Sequence, residues 1–496
     1  MMKTNNKNKT IIRKNICLCI IAALLPMAQG ALAQDATAIE GIYYVLNNED
    51  KTAEVVEPSG FRYQGDIVVP DTVKQDGTAY AVTALGEGAF FQARLTSLQL
   101  PKQTLRIIGP SAFTECSGVT ALDIPEGVTT IGEYALGGND LTSISIPVSV
   151  TEMGKAAVGG CPELETITVA EGNTQFGAFD GVLMDKAQTR LICYPAKLAG
   201  TTYSVPATVT SFDRRAFQYL AFLTTLNIPA SLAELDNNTF YKAMSLAEIN
   251  IEPANTAYCS VDGVVYSATM DSLCLYPAGK ADKTYTVNAA TKIIGNAAFS
   301  YASYLETVII PEGVATIYEY AFSYCPALKN IDLPESVTTL GHSAFFKCES
   351  LESVVLPPHI TEIPMVLLAF CSSLRSVTIP AGVTSIGMTP FSSCPSLTEI
   401  TCLATTPPTL NPMAFVSMVQ SNITLYVPDE AVETYKTMPT WKNFNVQPIS
   451  MTGIVPMSDG RDKISDVWYT LDGHRLDGKP TTKDVYIHGN RKVVLK

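Results

Sequence analysis

The most regular feature of the chain is an apolar pattern that repeats every 23 residues between residues 292 and 402. A solenoid shows such a fixed period, of roughly 20 to 29 residues with leucine-type spacing, because each repeat packs only against its neighbours. The sequence therefore predicts a leucine-rich repeat solenoid. The positions that keep this step are Ile294, Ile317, Leu340, Ile363 and Ile386, Pro311, Pro334, Pro357 and Pro380, and Phe299, Phe322, Phe345, Leu368 and Phe391.

One repeat shows which elements the pattern predicts. Leu351, Val354 and Leu356 follow the L-x-x-L-x-L spacing, in which the last two alternate as a strand requires. The preceding Ala-Phe-x-x-Cys segment places Phe345 and Cys348 three residues apart. We expect this segment to form the opposite side of the coil as a short helical or 3₁₀ turn that buries both side chains.

About eleven such repeats cover residues 83–403, and two inserts near residues 170–207 and 252–289 interrupt them. The inserts resemble each other at a distance of 82 residues, where Asp180-Gly181-Val182 recurs as Asp262-Gly263-Val264. Apolar alternation around a polar turn in each insert predicts a β-hairpin that keeps the stack in register. Neither insert is expected to be a separate domain.

The ends of the repeat region have other patterns. Residues 34–82 contain short β-branched and aromatic runs between turn clusters, which predicts a β-type N-terminal cap. Residues 404–448 are expected to close the other end of the apolar stack, and the Gly- and Pro-containing residues 449–464 to form a linker. Residues 465–496 predict a small β module of three short strands.

Residues 1–33 have the pattern of a cleaved export signal: a basic start, a short apolar run and the small residues Ala31 and Ala33 before Gln34. We expect an exported chain, extracellular or on the outer cell surface, with no transmembrane segment in its mature form. The net charge of -13 leaves no basic surface for phosphates, which argues against a nucleic-acid partner.

Cys325, Cys348, Cys371 and Cys394 form a ladder with the same 23-residue step. Side by side, parallel Cβ vectors would hold the Cβ atoms about 4.8 Å apart, beyond the distance that a disulfide prefers. Other repeats carry alanine or leucine at this position, and four thiolates in line cannot form a tetrahedron around a metal. We expect free, core-facing thiols rather than disulfides or a metal site; the sequence leaves their redox state open.

Three phrases carry a family resemblance: LTSISIP at 141–147, EYAFSYC at 319–325 and GVTSIG at 382–387. They resemble the BspA-like subclass of bacterial leucine-rich repeat proteins over residues 83–403. The resemblance implies an exported or surface-attached protein of anaerobic bacteria, with adhesion as the commonest role and no catalytic residue. The ending YTLDGHR at 469–475 and VYIHGNRKV at 485–493 is similar to C-terminal sorting or attachment modules.

Catalytic motifs are missing from the sequence. It contains four histidines, and His342 and His359 fall at different points of the repeat. No Ser-His-acid set, HExxH, P-loop or G-x-G-x-x-G motif is present. We expect a protein that is not an enzyme and has no cofactor and no metal site, and a hydrolase with an unrecognised site is the least favoured function.

Binding requires exposed features, and the place one residue before the cysteine position supplies candidates. Tyrosine there would offer amphipathic contact area to a protein, or to a glycan as the runner-up. Packing between neighbouring repeats explains the same pattern, slightly better than binding, so both stay open. The small polar residues along the strands, such as Ser143 and Thr378, predict a soluble face that could also hold a ligand. The candidate partner-binding residues are Tyr219, Tyr301, Tyr304, Tyr318, Tyr320, Tyr324 and Phe370.

Overall fold

The structure is a computed structural model that describes residues 36–415 and 418–452, together with four strands between residues 468 and 494. The predicted export signal and most of the predicted linker lie outside the described residues. The described chain forms a β-rich solenoid of about 16 turns with few helices, as predicted for a leucine-rich repeat protein. Each turn is called a coil below.

One side of every coil is a strand of the L-x-x-L-x-L segment, and neighbouring strands pair in parallel within five separate sheets. Leu351, Val354 and Leu356 are buried around the strand Ser353–Val355, which confirms the predicted strand. These long strands are Gln64–Val68, Arg94–Gln99, Ala121–Asp123, Ser143–Ile146, Thr166–Val169, Thr202–Ser204, Thr225–Ile228, Glu248–Ile251, Thr284–Thr286, Thr307–Ile309, Asn330–Asp332, Ser353–Val355, Ser376–Ile379, Glu399–Cys402, Thr424–Val427 and Asn445–Pro448.

A second ladder of shorter strands carries the periodic isoleucine of each repeat. The side chains of Ile294 and Ile317 are fully buried, and these strands pair in parallel at equivalent residues. The short strands are Thr78–Leu85, Ile107–Ile108, Thr130–Ile131, Glu152–Met153, Arg190–Cys193, Ser211–Phe212, Ser272–Leu275, Ile293–Ile294, Thr316–Ile317, Thr339–Leu340, Glu362–Ile363, Ser385–Ile386 and Thr409–Leu410.

The core between the ladders is a column of stacked aromatic rings. The rings of Phe299 and Phe322 lie 4.8 Å apart, and those of Phe322 and Phe345 5.4 Å apart, in nearly parallel planes. All three side chains are fully buried, and each contributes about 1.5–3 kcal/mol by leaving water. The repeated phenylalanine therefore links these three coils, and Leu136, Val158 and Leu368 take its place in other coils.

The Ala-Phe-x-x-Cys segment consists of i→i+3 turns, and in the described coils it becomes a 3₁₀ helix only at Asn237–Phe240. In one coil Ala297 and Tyr301 have positive φ, and the amides of Phe299 and Tyr301 donate to carbonyls of the next coil at 2.7 and 3.0 Å. Continuous helix would direct every N–H along its own axis. The alternating backbone instead pairs neighbouring coils, which explains the difference from the predicted helical turn.

Each insert forms the predicted hairpin and then adds a coil of its own. The hairpins are Phe176–Phe179 with Val182–Asp185 and Tyr258–Val261 with Val264–Ser267, both antiparallel. The strand that follows joins the short-strand ladder, and Tyr194 and Tyr276 stack on the next phenylalanine at 5.6 and 5.2 Å. The strand after each hairpin therefore continues the stack.

The two end segments also continue the ladders, so the stack extends beyond the eleven repeats. The N-terminal segment adds Thr37–Ile39, Ile42–Asn47, Thr52–Val55 and Thr72–Gln75. The C-terminal segment contains 3₁₀ turns at Gln420–Asn422, Asp429–Ala431, Trp441–Asn443 and Ile449–Thr452, and the helix Val432–Thr437. Trp441 is buried against Phe415 and Tyr435, and its Nε1 donates to the Pro408 carbonyl at 3.1 Å. This arrangement covers Phe415, the last ring of the core column.

The C-terminal module has four described strands rather than the three that the sequence predicts. They form one antiparallel sheet, in which the short strand Arg475–Leu476 occupies an edge. The strands are Trp468–Thr470, Arg475–Leu476, Val485–His488 and Arg491–Val494.

Candidate interaction surface

The turn segments of successive coils together form one surface, which we call the turn face. It runs from the end of each short strand to the cysteine position. The residue before the cysteine position has a positive φ, between 54° and 85°, in eleven coils. This column contains Gln92, Glu115, Gly138, Gly160, Tyr219, Lys242, Tyr301, Tyr324, Lys347, Phe370 and Ser393.

Glycine adopts this left-handed conformation without strain, but it occupies only two of the eleven positions. For a residue with a Cβ, this left-handed conformation costs about 1 kcal/mol. Seven of the other nine positions keep aromatic or charged side chains despite the strain, and Gln92 and Ser393 occupy the remaining two.

Aromatic rings and cations from this column and its neighbours form a continuous strip, which we call the aromatic ribbon. Tyr301 stacks on Tyr324 at 4.6 Å with planes 10° apart. Tyr241 meets Tyr301 edge-on at 5.2 Å, and Phe346 bridges Tyr324 and Phe370 at 5.3 and 5.4 Å. The ribbon contains Tyr134, Arg215, Tyr219, Tyr241, Lys242, Tyr301, Tyr324, Phe346, Lys347 and Phe370.

Three cations lie over the rings of the ribbon. Lys347 Nζ is 5.1 Å from the centroid of Tyr324, and Lys242 Nζ is 5.2 Å from that of Tyr219. The Arg215 guanidinium lies 4.8 Å from the Tyr134 ring. Such contacts contribute about 0.5–1 kcal/mol at exposed sites. In the described chain no carboxylate is within ion-pair distance of either lysine.

The candidate residues from the sequence fall into two groups. Tyr219, Tyr324 and Phe370 are half-buried members of the ribbon, whereas Tyr301 is only 7% exposed. The expectation that Tyr301 projects outward is therefore wrong, because Tyr241 and Tyr324 cover its ring. Burial also raises the pKa of its hydroxyl far above the usual range. Tyr301 supports the ribbon from beneath.

The remaining candidates lie outside the ribbon. Tyr304 and Tyr318 are 55% and 41% exposed. Tyr320 is half-buried and meets the His342 ring edge-on at 4.8 Å. Burial lowers the pKa of His342, which keeps this imidazole neutral at neutral pH.

The sequence analysis did not single out the ribbon residues in neighbouring columns, Tyr134, Arg215, Tyr241 and Phe346. It also passed over Phe222 and Met244, which are about half exposed beside the ribbon. Comparing the repeats one or more positions to either side of the tyrosine column would have found all six. Their contacts cross coils, so no single repeat reveals them.

The cysteine ladder lies on the inner side of the same segments. All four thiols are free and buried, as predicted. Each Sγ lies 3.1 to 3.2 Å from the carbonyl oxygen of the residue three positions before the cysteine position of the preceding coil. Cys325, for example, donates to the carbonyl of Phe299. Burial raises the pKa of Cys325 and of Cys394 to about 12, so both stay protonated and can donate. The ladder is part of the core.

The opposite face is formed by the outward positions of the long strands. Ser143, Ser145 and Asn330 are exposed there, as the sequence predicts. Ile309 and Val355 are equally exposed apolar exceptions. No group of three or more histidine, cysteine or acidic side chains that could hold a metal ion occurs in the described part of the chain.

These features define the class of protein: a β-solenoid built from leucine-rich repeats. Within that class, the chain belongs to the BspA type leucine rich repeat family, whose profile matches six copies over residues 81–181, 196–260 and 288–419, more than half of the chain. Proteins of this family are typically bacterial surface or secreted proteins without enzymatic activity. No helix in the described residues is long and apolar enough to cross a membrane.

Several solved structures are similar to the chain. The pneumococcal vaccine antigen PcpA is 20% identical, with 83% of this chain and 98% of that chain covered and a TM-score of 0.45. A leucine-rich cell surface protein from Faecalibacterium prausnitzii A2-165 is 24% identical, with 74% and 94% covered and a TM-score of 0.42. A leucine-rich repeat protein from Eubacterium ventriosum ATCC 27560 is 21% identical, with 71% and 92% covered and a TM-score of 0.39. No curated protein matches the chain.

Proposed function

We propose that this chain is a non-catalytic, exported surface protein that binds a protein partner through the aromatic ribbon of its turn face. The observation that carries the proposal is the left-handed column, where the chain keeps large side chains at positions that favour glycine. Backbone strain that persists at a surface is a reason to look for a function.

Replacing strained residues by glycine distinguishes binding from packing. A residue that serves packing should lower the stability of the fold when it is replaced, whereas one that serves binding should lower the affinity for the partner and leave the stability nearly unchanged. Lys242 and Lys347 are partly exposed and lie at the surface of the ribbon. Glycine at either position would relieve about 1 kcal/mol of strain. It would lose about 0.5–1 kcal/mol to chain entropy and a similar amount of cation–ring contact. The net effect of each change on stability is within about 1 kcal/mol.

A protein partner fits the ribbon better than a glycan does. Sugars stack on exposed ring faces, but the faces of Tyr301 and Tyr324 cover each other and Lys347 lies over Tyr324. The ribbon offers ring edges, hydroxyl groups and ammonium groups instead, which suit the polar and charged groups of a protein.

A glycan remains the second candidate because of Tyr304 and Tyr318, whose side chains are the most exposed of the candidate tyrosines. A glycan array tests it directly. Binding to one glycan class that disappears in the Tyr304→Ala and Tyr318→Ala variants, with no protein partner, would favour carbohydrate recognition.

The test of the proposal is a double variant, Lys242→Gly with Lys347→Gly, measured against immobilised extracellular-matrix proteins. We expect the melting temperature to change by no more than about 2 °C and the affinity for the bound partner to fall at least about tenfold. Ser393→Gly is the matched control, because it changes the same column outside the ribbon. Unchanged affinity in the double variant would refute the proposal.

We also propose that the C-terminal module, residues 465–496, attaches the exported protein to the cell surface. The proposal rests on the sequence resemblance of this ending to attachment modules. Cell fractionation of the full chain and of a form truncated after residue 450 tests it: the truncated form should appear in the medium, and unchanged surface attachment would contradict the role.

A further inference from the structure

A cleft of about 680 Å³ opens near the N-terminal end of the stack, where the first long strands meet the turn face. This volume lies within the range of about 300–1,000 Å³ that is typical of small-molecule sites. None of its lining residues belongs to the aromatic ribbon. The lining includes Phe61, Gln64, Gln92, Arg94, Glu115 and Ser117.

Three successive coils form the floor of this cleft. Gln64 pairs with Arg94 in the register of the first two long strands, and Arg94 pairs with Ser117 on the next coil. The Arg94 amide donates to the Tyr63 carbonyl at 3.0 Å, and the Leu95 amide donates to the Ser117 carbonyl at 3.0 Å. The exposed side chains of Gln64, Arg94 and Ser117 therefore form a row, one from each coil, on a hydrogen-bonded backbone.

A second row of polar side chains lies beside the first, on the turn face. The Gln92 amide nitrogen donates to a carboxylate oxygen of Glu115 on the next coil at 2.8 Å. Arg62, which also lines the cleft, is paired with Glu57 at 2.6 Å. Among the described residues, no carboxylate lies within ion-pair distance of Arg94, and no cation lies within that distance of Glu115. The cleft therefore offers one exposed guanidinium and one exposed carboxylate to a ligand.

One wall of the cleft is the ring of Phe61, which is 46% exposed. Tyr43 and Tyr63 meet this ring edge-on, with centroids 5.9 and 6.2 Å away. The hydroxyl of the buried Tyr63 accepts from the Tyr43 amide at 2.9 Å and donates to the Val56 carbonyl at 3.2 Å. These contacts tie the segment that carries Phe61 to the strand Ile42–Asn47. The ring is therefore positioned before a ligand binds, which lowers the entropic cost of binding.

The charges in this cleft favour a neutral ligand that carries many hydroxyl groups. An anion would be attracted by Arg94 but repelled by Glu115, and for a cation the two effects are reversed. A hydroxyl group both donates and accepts, so adjacent hydroxyls of one sugar ring can accept from Arg94 and donate to Glu115. The side chains of Gln64 and Ser117 can donate and accept as well. The less polar C–H face of the same sugar ring can pack against the aromatic wall.

We infer that this cleft binds a neutral oligosaccharide, with one sugar ring against Phe61 and its hydroxyl groups hydrogen-bonded to Arg94 and Glu115. The site is separate from the ribbon, and it does not depend on the proposed protein partner. It places a glycan at the N-terminal end of the stack, whereas the second candidate function would place one at Tyr304 and Tyr318.

The test is an array that carries neutral oligosaccharides of hexoses, deoxyhexoses and N-acetylhexosamines beside chains that contain uronic or sialic acids. We expect the protein to bind neutral members of the array. Titration with the same soluble oligosaccharides should give an affinity that changes less than about twofold between low and high salt, because binding pairs no net charge. The affinity should fall at least about tenfold in Phe61→Leu and in Arg94→Met, whereas Phe61→Tyr keeps the ring and should keep the affinity.

Tyr304→Ala is the matched control, because it removes a similarly exposed ring outside the cleft. Melting temperatures within about 2 °C of the wild type establish that the variants are folded. Binding to acidic chains alone, binding to no chain, or loss of binding in Tyr304→Ala but not in Phe61→Leu would overturn the inference. The glycine double variant of the ribbon should bind the same oligosaccharides, and the cleft variants should keep the affinity for the matrix protein. Failure of this inference is therefore distinguishable from failure of the proposed function.

Discussion

Replacing Asp213 with alanine should loosen the junction between the first insert and the repeats around it. Arg190 Nε and Nη2 donate to the two carboxylate oxygens of Asp213 at 2.6 and 2.7 Å. The amide of Ala156, on the preceding repeat coil, donates to Asp213 Oδ2 at 3.3 Å. One carboxylate therefore connects the insert strand Arg190–Cys193 with a coil on each side.

The expected cost follows from burial. The Asp213 side chain is 6% exposed, and removing one partner of a buried ion pair costs about 3–5 kcal/mol. The Arg190 side chain is 31% exposed, so water can solvate part of the remaining charge and reduce this to about 2 kcal/mol. Loss of the acceptor for Ala156 adds about 1 kcal/mol. The total of about 3 kcal/mol corresponds to about 150-fold more frequent local opening.

Native-state hydrogen exchange of the amides in the strand Arg190–Cys193 measures this opening. The second insert provides the control, because Ser272 stands where the first has Arg190, and Ser272→Ala should change exchange by less than about threefold. The double variant Arg190→Met with Asp213→Leu should recover most of the loss. Exchange in Asp213→Ala that rises less than about fivefold would refute the assigned role of the ion pair.

Two further predictions concern the thiol ladder and a surface ion pair. At pH 8 the four buried ladder thiols should not react with a thiol reagent until the protein unfolds, because burial raises the pKa of each, to about 12 for Cys325 and Cys394. Reaction of two of them in the folded protein would contradict this. Hydrogen bonds from Lys329 and Lys283 lower the pKa of Glu306 from 4.5 to about 2. The stabilisation of the folded protein by the Glu306 carboxylate is therefore complete above pH 4.5 and is lost as the pH falls through about 2. An NMR titration should show the pKa of Glu306 rising in Lys329→Gln. An unchanged pKa would be inconsistent with the pairing.

The regular part of the fold could be predicted from the sequence because each coil buries the same positions. Phe345, Cys348 and Leu351 keep fixed places in the repeat, and that spacing alone indicates the coil and its strand. The hairpins of the inserts were also predictable, since Asp180-Gly181 and Asp262-Gly263 are strong turn signals between alternating apolar residues.

Other features depend on contacts between coils, which spacing within one repeat does not encode. Tyr194 takes the core position of a phenylalanine only because the insert strand joins the short-strand ladder. The positive φ of Lys347 or Phe370 contradicts local propensity and is stabilised by hydrogen bonds to the next coil. For the same reason, the ribbon appears only when Arg215 and Phe346 are placed beside the tyrosines of other coils.

Hydroxyl-radical footprinting of the protein with and without its bound partner tests the central claim most directly, because it reports which side chains the partner covers. Binding through the turn face predicts that the oxidation of Tyr219, Met244 and Tyr324 falls in the complex while that of Ile309 and Val355 stays constant. Protection of Ile309 and Val355 with unchanged oxidation along the ribbon would contradict the account.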